Sequence, residues 1–328
     1  MNKFIFTCGD SNGVGPEIVI KTINKIYNTS PGKIFFACPE NVFRKASEIV
    51  PPGFEYVIGK SGIDPSPGKV TIIDIGKIKL DPGRPTKQSG KAAYKSIKTA
   101  FDFAKNKKAD AIITAPISKT ALRMAGYKYP GHTEMLAEWA GTKKFVMMFL
   151  SKKMNAALIT IHEPIGKVAP LISKKILADK IEIIINTLKK DLNVKAPKAA
   201  VLGLNPHAGE SGLIGREEEK IITPFISSSE YSEYLHGPFS PDAFFANHQY
   251  KNYDVVVGMY HDQVLIPFKM LNFSSGVNYT AGLPIVRTSP DHGTAFDIAY
   301  KNKADETSIF QAFEYAEKIV KCRKPLIL

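Results

Sequence analysis

Short apolar runs alternate with longer amphipathic segments along almost the whole chain, and that alternation constrains the fold more than any other feature. KFIFTC is followed by PEIVIKTINKIYN, KIFFAC by ENVFRKASEIV, VTIIDI by SGKAAYKSIKTAFDFAKNKK, and ADAIITAP comes next. Apolar runs without polar alternation suit strands covered on both faces, and the segments between them carry helical spacing. The pattern predicts an α/β protein with a mainly parallel sheet flanked by helices. The 328 residues are enough for two lobes with substantial cores.

Pro/Gly-rich connections fall at 51–69 (PPGFEYVIGKSGIDPSPGK) and 80–86 (LDPGRPT). Lobe boundaries are expected at 125–131 (AGYKYPG) and 281–284 (AGLP). They give a discontinuous first lobe, 1–130 plus 285–328, and a second lobe, 131–284.

The formal net charge of +13 raises nucleic acid, anionic membrane surfaces and phosphorylated small molecules as partners. The pattern favours the last. The lysines come in short groups, such as KNKK at 105–108 and the pairs at 152–153, 174–175 and 189–190, and most lie on segments with helical apolar spacing. That is the solvated face of an amphipathic helix. There is no basic stripe interleaved with aromatics, no apolar stretch of membrane-spanning length, and too short an apolar N-terminal run for a signal peptide. The expectation is a cytoplasmic chain that binds neither nucleic acid nor membrane. Three widely spaced cysteines, Cys8, Cys38 and Cys322, suit a reducing compartment.

GDSNGVGPEI (9–18) follows a strand and opens a helix, with Pro16 suited to its first turn. It lacks the third glycine of GxGxxG and has no GK[ST], so a tight turn is favoured over a phosphate cradle. Three apolar strands, by contrast, each run into a histidine. AALITIHEP places His162, AAVLGLNPHAGE places His207, and VVVGMYHDQ places His261. Ligands gather beyond the carboxyl ends of parallel strands, so the three imidazoles are expected to converge. Three histidines without cysteine suit a catalytic divalent ion with an open position, and Asp262 and Asp242 suit the carboxylates that orient such ligands. Three unrelated strand-end histidines are the competing reading. His132 and Thr133 stand at a helix start in PGHTEMLAEWAG, where either residue caps the helix or His132 meets an anion. Arg287 follows PIV directly, so a buried cation there needs an anionic partner.

GDSNGVGPEI, TAPISKTAL, GHTEMLAE, NPHAGESGLIGREE, MYHDQVLIPFK and GVNYTAGLPIVRTSPDHGTAFDIA, in that order, resemble the 4-hydroxythreonine-4-phosphate dehydrogenase family of vitamin B6 biosynthesis. The resemblance spans residues 5 to about 300. It implies a two-lobed α/β/α fold of the isocitrate/isopropylmalate dehydrogenase type, not a Rossmann domain. It further implies NAD or NADP, and a divalent metal (zinc, with magnesium or cobalt as alternatives) on His162, His207 and His261. Substrate contacts are implied for His132, Thr133, Lys269, Asn278 and Arg287. Cofactor contacts are implied for the turn Asp291, His292, Gly293, Thr294 and Ala295, and a homodimer with its active site in the cleft between lobes, shared by both subunits. The implied reaction oxidises 4-phosphooxy-L-threonine at C3. His132, Lys269 and Arg287 then supply positive charge for its phosphate and carboxylate, and Asp262, Asp242 and Lys119 are the catalytic candidates. Paralogues acting on 4-phosphothreonate or 4-phosphoerythronate share these motifs, and a zinc-dependent hydrolase is a more distant alternative.

Overall fold

The computed structural model describes residues 1–29, 32–60 and 68–324. The chain begins with β1 (Lys3–Thr7), α1 (Gly15–Ile26), β2 (Lys33–Cys38), α2 (Glu40–Ile49), β3 (Tyr56–Gly59), β4 (Val70–Asp74) and α3 (Lys87–Lys105). β5 (Ala111–Ile113), α4 (Lys119–Met124), α5 (His132–Trp139), β6 (Val146–Leu150), β7 (Ala156–Leu158), α6 (Ile165–Leu171) and α7 (Lys174–Lys190) follow. The remainder comprises β8 (Ala199–Leu202), α8 (Thr223–Ser228), β9 (Leu235–Phe239), α9 (Pro241–Ala246), β10 (Val255–Gly258), α10 (His261–Asn272), β11 (Val277–Ala281), β12 (Val286–Pro290) and α11 (Thr307–Arg323). None of the helices is long and apolar enough to cross a membrane, among the described residues.

Packing divides the described residues into one unit of Met1–Gly141 with Pro284–Val320 and a second of Thr142–Leu283 with residues 321–324. This division and the one drawn from sequence differ over residues 131–141, which carry α5, and over the last residues.

In the first unit the strands run β3-β4-β2-β1-β5-β12, and every pairing is parallel. Parallel strands need helices on both faces, so their sequences are apolar throughout. Phe4, Ile5 and Phe6 of β1 and Phe36, Ala37 and Cys38 at the end of β2 are all fully buried. β3 lies inside the Pro/Gly-rich stretch read as a loop. Its YVIG is a half-exposed edge strand paired with β4, and positions 61–67 of that stretch lie outside the described residues. α3 starts with a reciprocal cap, in which Thr86 Oγ1 accepts from Ser89 N and Ser89 Oγ accepts from Thr86 N, each at 3.1 Å. Such caps contribute about 1 kcal/mol.

In the second unit the order is β11-β6-β7-β10-β8-β9. β6 is antiparallel to both neighbours, and the other pairings are parallel. α10 packs on this sheet through Val264, Leu265 and Phe268, which join Phe149, Leu158 and Val256 in one buried cluster.

The N-terminal motif is a structural turn. Asn12 Nδ2 donates to Arg84 O and Thr86 Oγ1, and Asn12 Oδ1 accepts from Asp81 N at 3.0 Å. A Cβ at Gly15 would come within 2.2 Å of Cys8 O, and Gly9, at φ +64°, would place one 2.3 Å from Pro116 O. The glycines therefore serve close backbone packing. Asp10 is fully buried and accepts from Asn12 N and Ser89 Oγ, yet burial pushes its carboxyl up to about 6.

Because the folded state holds that proton more tightly than the unfolded chain, folding incurs a penalty that is absent below about pH 4. It grows as pH rises through about 6, to an order of 2–3 kcal/mol. Asp10→Asn keeps the bond from Asn12 N and reverses the one with Ser89, whose Oγ then accepts from the amide, and is expected to raise stability by about 2 kcal/mol at pH 8, with the gain vanishing near pH 4. Denaturant melts of both proteins across that range check this, and a pH-independent difference would refute the assignment.

Candidate active site

Parallel pairing delivers the three strand-end histidines to one end of the second unit's sheet. β7, β10 and β8 are neighbours, and Val256 of β10 stands opposite both Ala156 of β7 and Ala200 of β8. His162 follows the end of β7, His207 that of β8, and His261 opens α10 just after β10. The rings of His162 and His261 lie 5.8 Å apart, centre to centre. The three side chains do not close on one point. Among the described residues no three His, Cys, Asp or Glu side chains stand close enough to enclose an ion.

The donor chemistry nonetheless fits a divalent transition ion. His162 and His207 are exposed and His261 is half-buried. His261 Nδ1 lies 2.6 Å from Asp262 Oδ1. A carboxylate on that nitrogen fixes the tautomer and leaves Nε2 as the ligating atom. Asp242 sits in the first turn of α9, where Ser240 Oγ donates to its Oδ1 at 2.6 Å. That bond, the Ala243 N–H and the nearby His207 hold its carboxyl below the usual range.

His207 stands on an unusual backbone. Residues 207 to 211 have φ of 51°, 51°, 84°, 44° and 54°, a left-handed turn of which only the middle residue is glycine. Each non-glycine residue so placed costs roughly 1–2 kcal/mol, so the turn requires on the order of 4–8 kcal/mol of support from its surroundings.

In the first unit, His132, Glu134 and Arg287 form a second group. Arg287 is 2% exposed, and its Nε and Nη2 donate to Thr114 Oγ1 at 3.0 and 2.8 Å. Burial lowers it to about 9, while the Glu134 carboxylate works in the opposite direction. The anionic partner expected for Arg287 is thus already present inside the protein. Sequence reading missed Glu134 because an acidic residue in a first helical turn suits the helix dipole without further explanation.

His132 departs from its expected role as a cation. Burial, then the charge of Arg287, hold its imidazole well below the ordinary range, against a bond to the Ala115 carbonyl. Its Nε2 is shut away from solvent with no hydrogen-bond partner. Since Nε2 makes no bond, Nδ1–H donates to Ala115 and Nε2 is left as an acceptor, a buried vacancy that costs about 1–3 kcal/mol. The helix start is also not capped as expected. Gly131 occupies the N-cap without a side-chain bond, and Thr133 lies buried one position into the helix beyond His132.

The remaining candidates are more dispersed. Lys269 is exposed on α10, Asn278 is half-buried on β11 opposite Phe149, and Lys119 is exposed at the start of α4. The turn Asp291–Ala295 is anchored from below, since Asp291 N donates to Ser308 Oγ and Val14 N to Thr294 O. His292 and Gly293 are exposed above it, a Cβ at Gly293 would meet nothing within 4 Å, and Ala295 is left-handed at φ 42°. A fixed, open turn of this kind suits a nucleotide lying across it. A cavity of about 760 Å³ in the second unit, lined by Lys144, Glu182, Lys190 and Cys322 among others, includes none of these residues.

If His132 is neutral as its surroundings dictate, the histidine ring resonance that is missing from His132→Asn will fail to titrate between pH 5 and 8 in a proton–nitrogen NMR series. A His132 signal that titrates near 6.5 would overturn the neutral acceptor.

Residues 32–316 match the family model described as pyridoxal phosphate biosynthetic protein PdxA. The chain is 38% identical over 325 residues to a 4-hydroxythreonine-4-phosphate dehydrogenase of Sulfurihydrogenibium sp. (strain YO3AOP1), covering 99% of this chain and all of that one. It is 37% identical to a D-threonate 4-phosphate dehydrogenase of Pectobacterium atrosepticum, covering 97% of this chain and all of the other. The crystal structure of a 4-hydroxythreonine-4-phosphate dehydrogenase from Klebsiella pneumoniae superposes with TM-score 0.84 at 35% identity, over 98% of this chain and all of that one. Isocitrate dehydrogenase from Methylococcus capsulatus, at 14% identity and TM-score 0.51 over 98% of this chain and 87% of its own, shares the fold. Its α/β, mainly parallel architecture is therefore of the isocitrate dehydrogenase-like kind, and the chain belongs to the pyridoxal phosphate biosynthetic protein PdxA family.

Proposed function

We propose that this chain is a metal-dependent 4-hydroxythreonine-4-phosphate dehydrogenase. It oxidises the C3 hydroxyl of 4-phosphooxy-L-threonine, with NAD or NADP taking the hydride, to 2-amino-3-oxo-4-(phosphooxy)butanoate. That β-keto acid loses carbon dioxide to give 3-amino-2-oxopropyl phosphate, a step towards pyridoxal 5'-phosphate. The observation that carries the reading is the delivery of His162, His207 and His261 beyond three adjacent parallel strands, in a chain whose relatives bear that enzyme's name. A second reading is favoured by the D-threonate 4-phosphate dehydrogenase relative: a paralogue acting on 4-phosphothreonate or 4-phosphoerythronate with the same hydride chemistry.

The imidazoles of His162, His207 and His261 would hold a divalent cation, zinc or cobalt in preference to magnesium, which would stabilise negative charge developing on the substrate oxygen. Asp262 orients His261 through its Nδ1, and Asp242 sets the field around His207. His132 offers Nε2 as an acceptor for a substrate hydroxyl. Arg287 supplies a fixed positive charge, Lys269 a mobile one, and Thr133 and Asn278 short polar contacts. Lys119, Asp262 and Asp242 are the groups that can take the hydroxyl proton. The anchored turn Asp291–Ala295 holds the nicotinamide nucleotide.

We further infer a homodimer. Ile266, Met270 and Phe273, spaced along one side of α10, are 60%, 80% and 96% exposed. An apolar stripe of this kind, running from the middle of α10 to the residue just past its end, suits a second copy of the same chain. The cysteine usage fits a cytoplasmic enzyme.

Nicotinamide reduction measured with 4-phosphooxy-L-threonine, 4-phosphothreonate and 4-phosphoerythronate, each with and without a chelator, tests the reading. Chelator-sensitive reduction with the amino acid substrate is expected, whereas activity with the other two alone moves the chain to the second reading. Arg287→Lys, which loses the bidentate fork, is expected to raise KM about tenfold. An unchanged KM would remove Arg287 from substrate binding.

A further inference from the structure

We propose that Glu218 is the positioning residue for His207: its buried carboxylate fills the loop 203–215 and holds the left-handed turn on which that imidazole is carried. The proposal rests on the reading of His207 as a metal ligand.

Glu218 is 4% exposed, although it sits in the charged run REEEK. Its Oε1 accepts from the backbone N–H of Leu204 at 2.6 Å and of Asn205 at 2.8 Å. Its Oε2 accepts from Asn205 Nδ2 at 2.9 Å, and the same Nδ2 donates to Glu217 Oε2 at 2.7 Å. A carboxylate that accepts at both oxygens satisfies its buried charge through these bonds. The glycines around it are fitted to its presence. A Cβ at Gly209 would lie 2.7 Å from Glu218 Oε2, one at Gly203 would lie 3.2 Å from Oε1, and one at Gly215 would strike Asn205 Nδ2 at 2.2 Å. Glu218 therefore grips the chain on both sides of His207, at 204–205 by hydrogen bonds and at 209 by packing.

His207 itself has no local reason to adopt φ 51°, and neither do Ala208, Glu210 or Ser211. The turn's own bonds are few, such as Ala208 N to Asn205 O and Ile214 N to Gly209 O, both 3.2 Å. The support comes from beneath. Glu218 also opens a π-helical turn, Glu218–Ile222, ahead of α8, a rare geometry that is enriched where a side chain has to be aimed. Glutamine cannot replace the carboxylate, because its Nε2 would face either the Asn205 amide donor or the two backbone N–H groups.

The test uses the full chain freed of metal by chelator and dialysis, titrated with Co²⁺ alone by calorimetry and by the cobalt absorption bands. Thermal unfolding is recorded in parallel. Glu218→Gln is expected to unfold cooperatively and to bind Co²⁺ on the order of tenfold or more weakly, with altered absorption bands. Asn205→Ala, which removes the side-chain donor to Glu218 Oε2 and keeps both backbone bonds to Oε1, is expected to shift in the same direction, and it decides the matter if Glu218→Gln does not fold. Wild-type Co²⁺ affinity in the folded variants, while His207→Ala has lost binding, overturns the positioning role and leaves only a structural one. Wild-type affinity in His207→Ala overturns the metal reading itself, and the proposal with it.

Discussion

Parallel pairing of β7, β10 and β8 is the constraint on which the second unit depends. Strands that run the same way leave the sheet at the same end, so the residues that follow them arrive together, and the returning chain must cross through helices. Register sharpens this. Val256 faces Ala156 on one side and Ala200 on the other. A one-residue slip in any of the three would invert its apolar side chains and move the histidine beyond it by about 3.3 Å. The strands are short, made of alanine, valine and leucine with one glycine at the end of β10, and buried along their whole length. Burial fixes the register, and the register fixes where the imidazoles begin.

Away from the histidines the fold relies on buried charges that are paired or hydrogen-bonded close by. Asp191, 4% exposed at the end of α7, receives Arg323 Nε at 2.7 Å and Nη2 at 3.0 Å as well as the Tyr279 hydroxyl at 2.6 Å. Burial pushes the Tyr279 phenol up, so it stays a donor. Glu17, fully buried in α1, accepts from Tyr300 N and Asn302 N, two residues that are themselves left-handed at φ 57°. Removing one partner of such a pair leaves an uncompensated buried charge, a loss of several kcal/mol. Arg287 with Glu134 follows the same logic. There the neighbouring His132 is kept neutral first by its own burial and then by the charge of Arg287, so a group that serves stability adds to what sets the chemistry of the nitrogen beside it.

The apolar runs and the histidines that end three of them were legible in the sequence, because hydrophobic pattern and strand polarity are local properties. The direction of β6 was not. VMMFL is equally apolar whether its neighbours run with it or against it. β3 was masked by the prolines and glycines around it, which mark turns strongly and leave a four-residue edge strand without a signal of its own. Glu218 was hidden among three consecutive glutamates. Glu219 is exposed, Glu217 half-buried and Glu218 buried, and the only sequence trace of the difference is the density of glycine at 203, 209, 212 and 215. The neutrality of His132 rests on its burial and then on Arg287, far away along the chain, and no local pattern carries either.

The left-handed turn of His207 shows why a binding loop accepts strain. A relaxed loop would sample many conformations, and an ion would have to order it on arrival, at about 1–2 kcal/mol for each residue fixed. A loop already held in one uncommon path by a carboxylate beneath it has met that cost on folding, so binding begins from a single arrangement. The price is a weaker fold, drawn from the burial of the β7, β10 and β8 strands. It follows that the element least favourable in isolation, residues 207 to 211, comes soon after β8, a strand buried along its whole length. The strain and the support are two sides of one arrangement, since only a buried anchor tied to the chain on either side can hold five consecutive residues against their own preference.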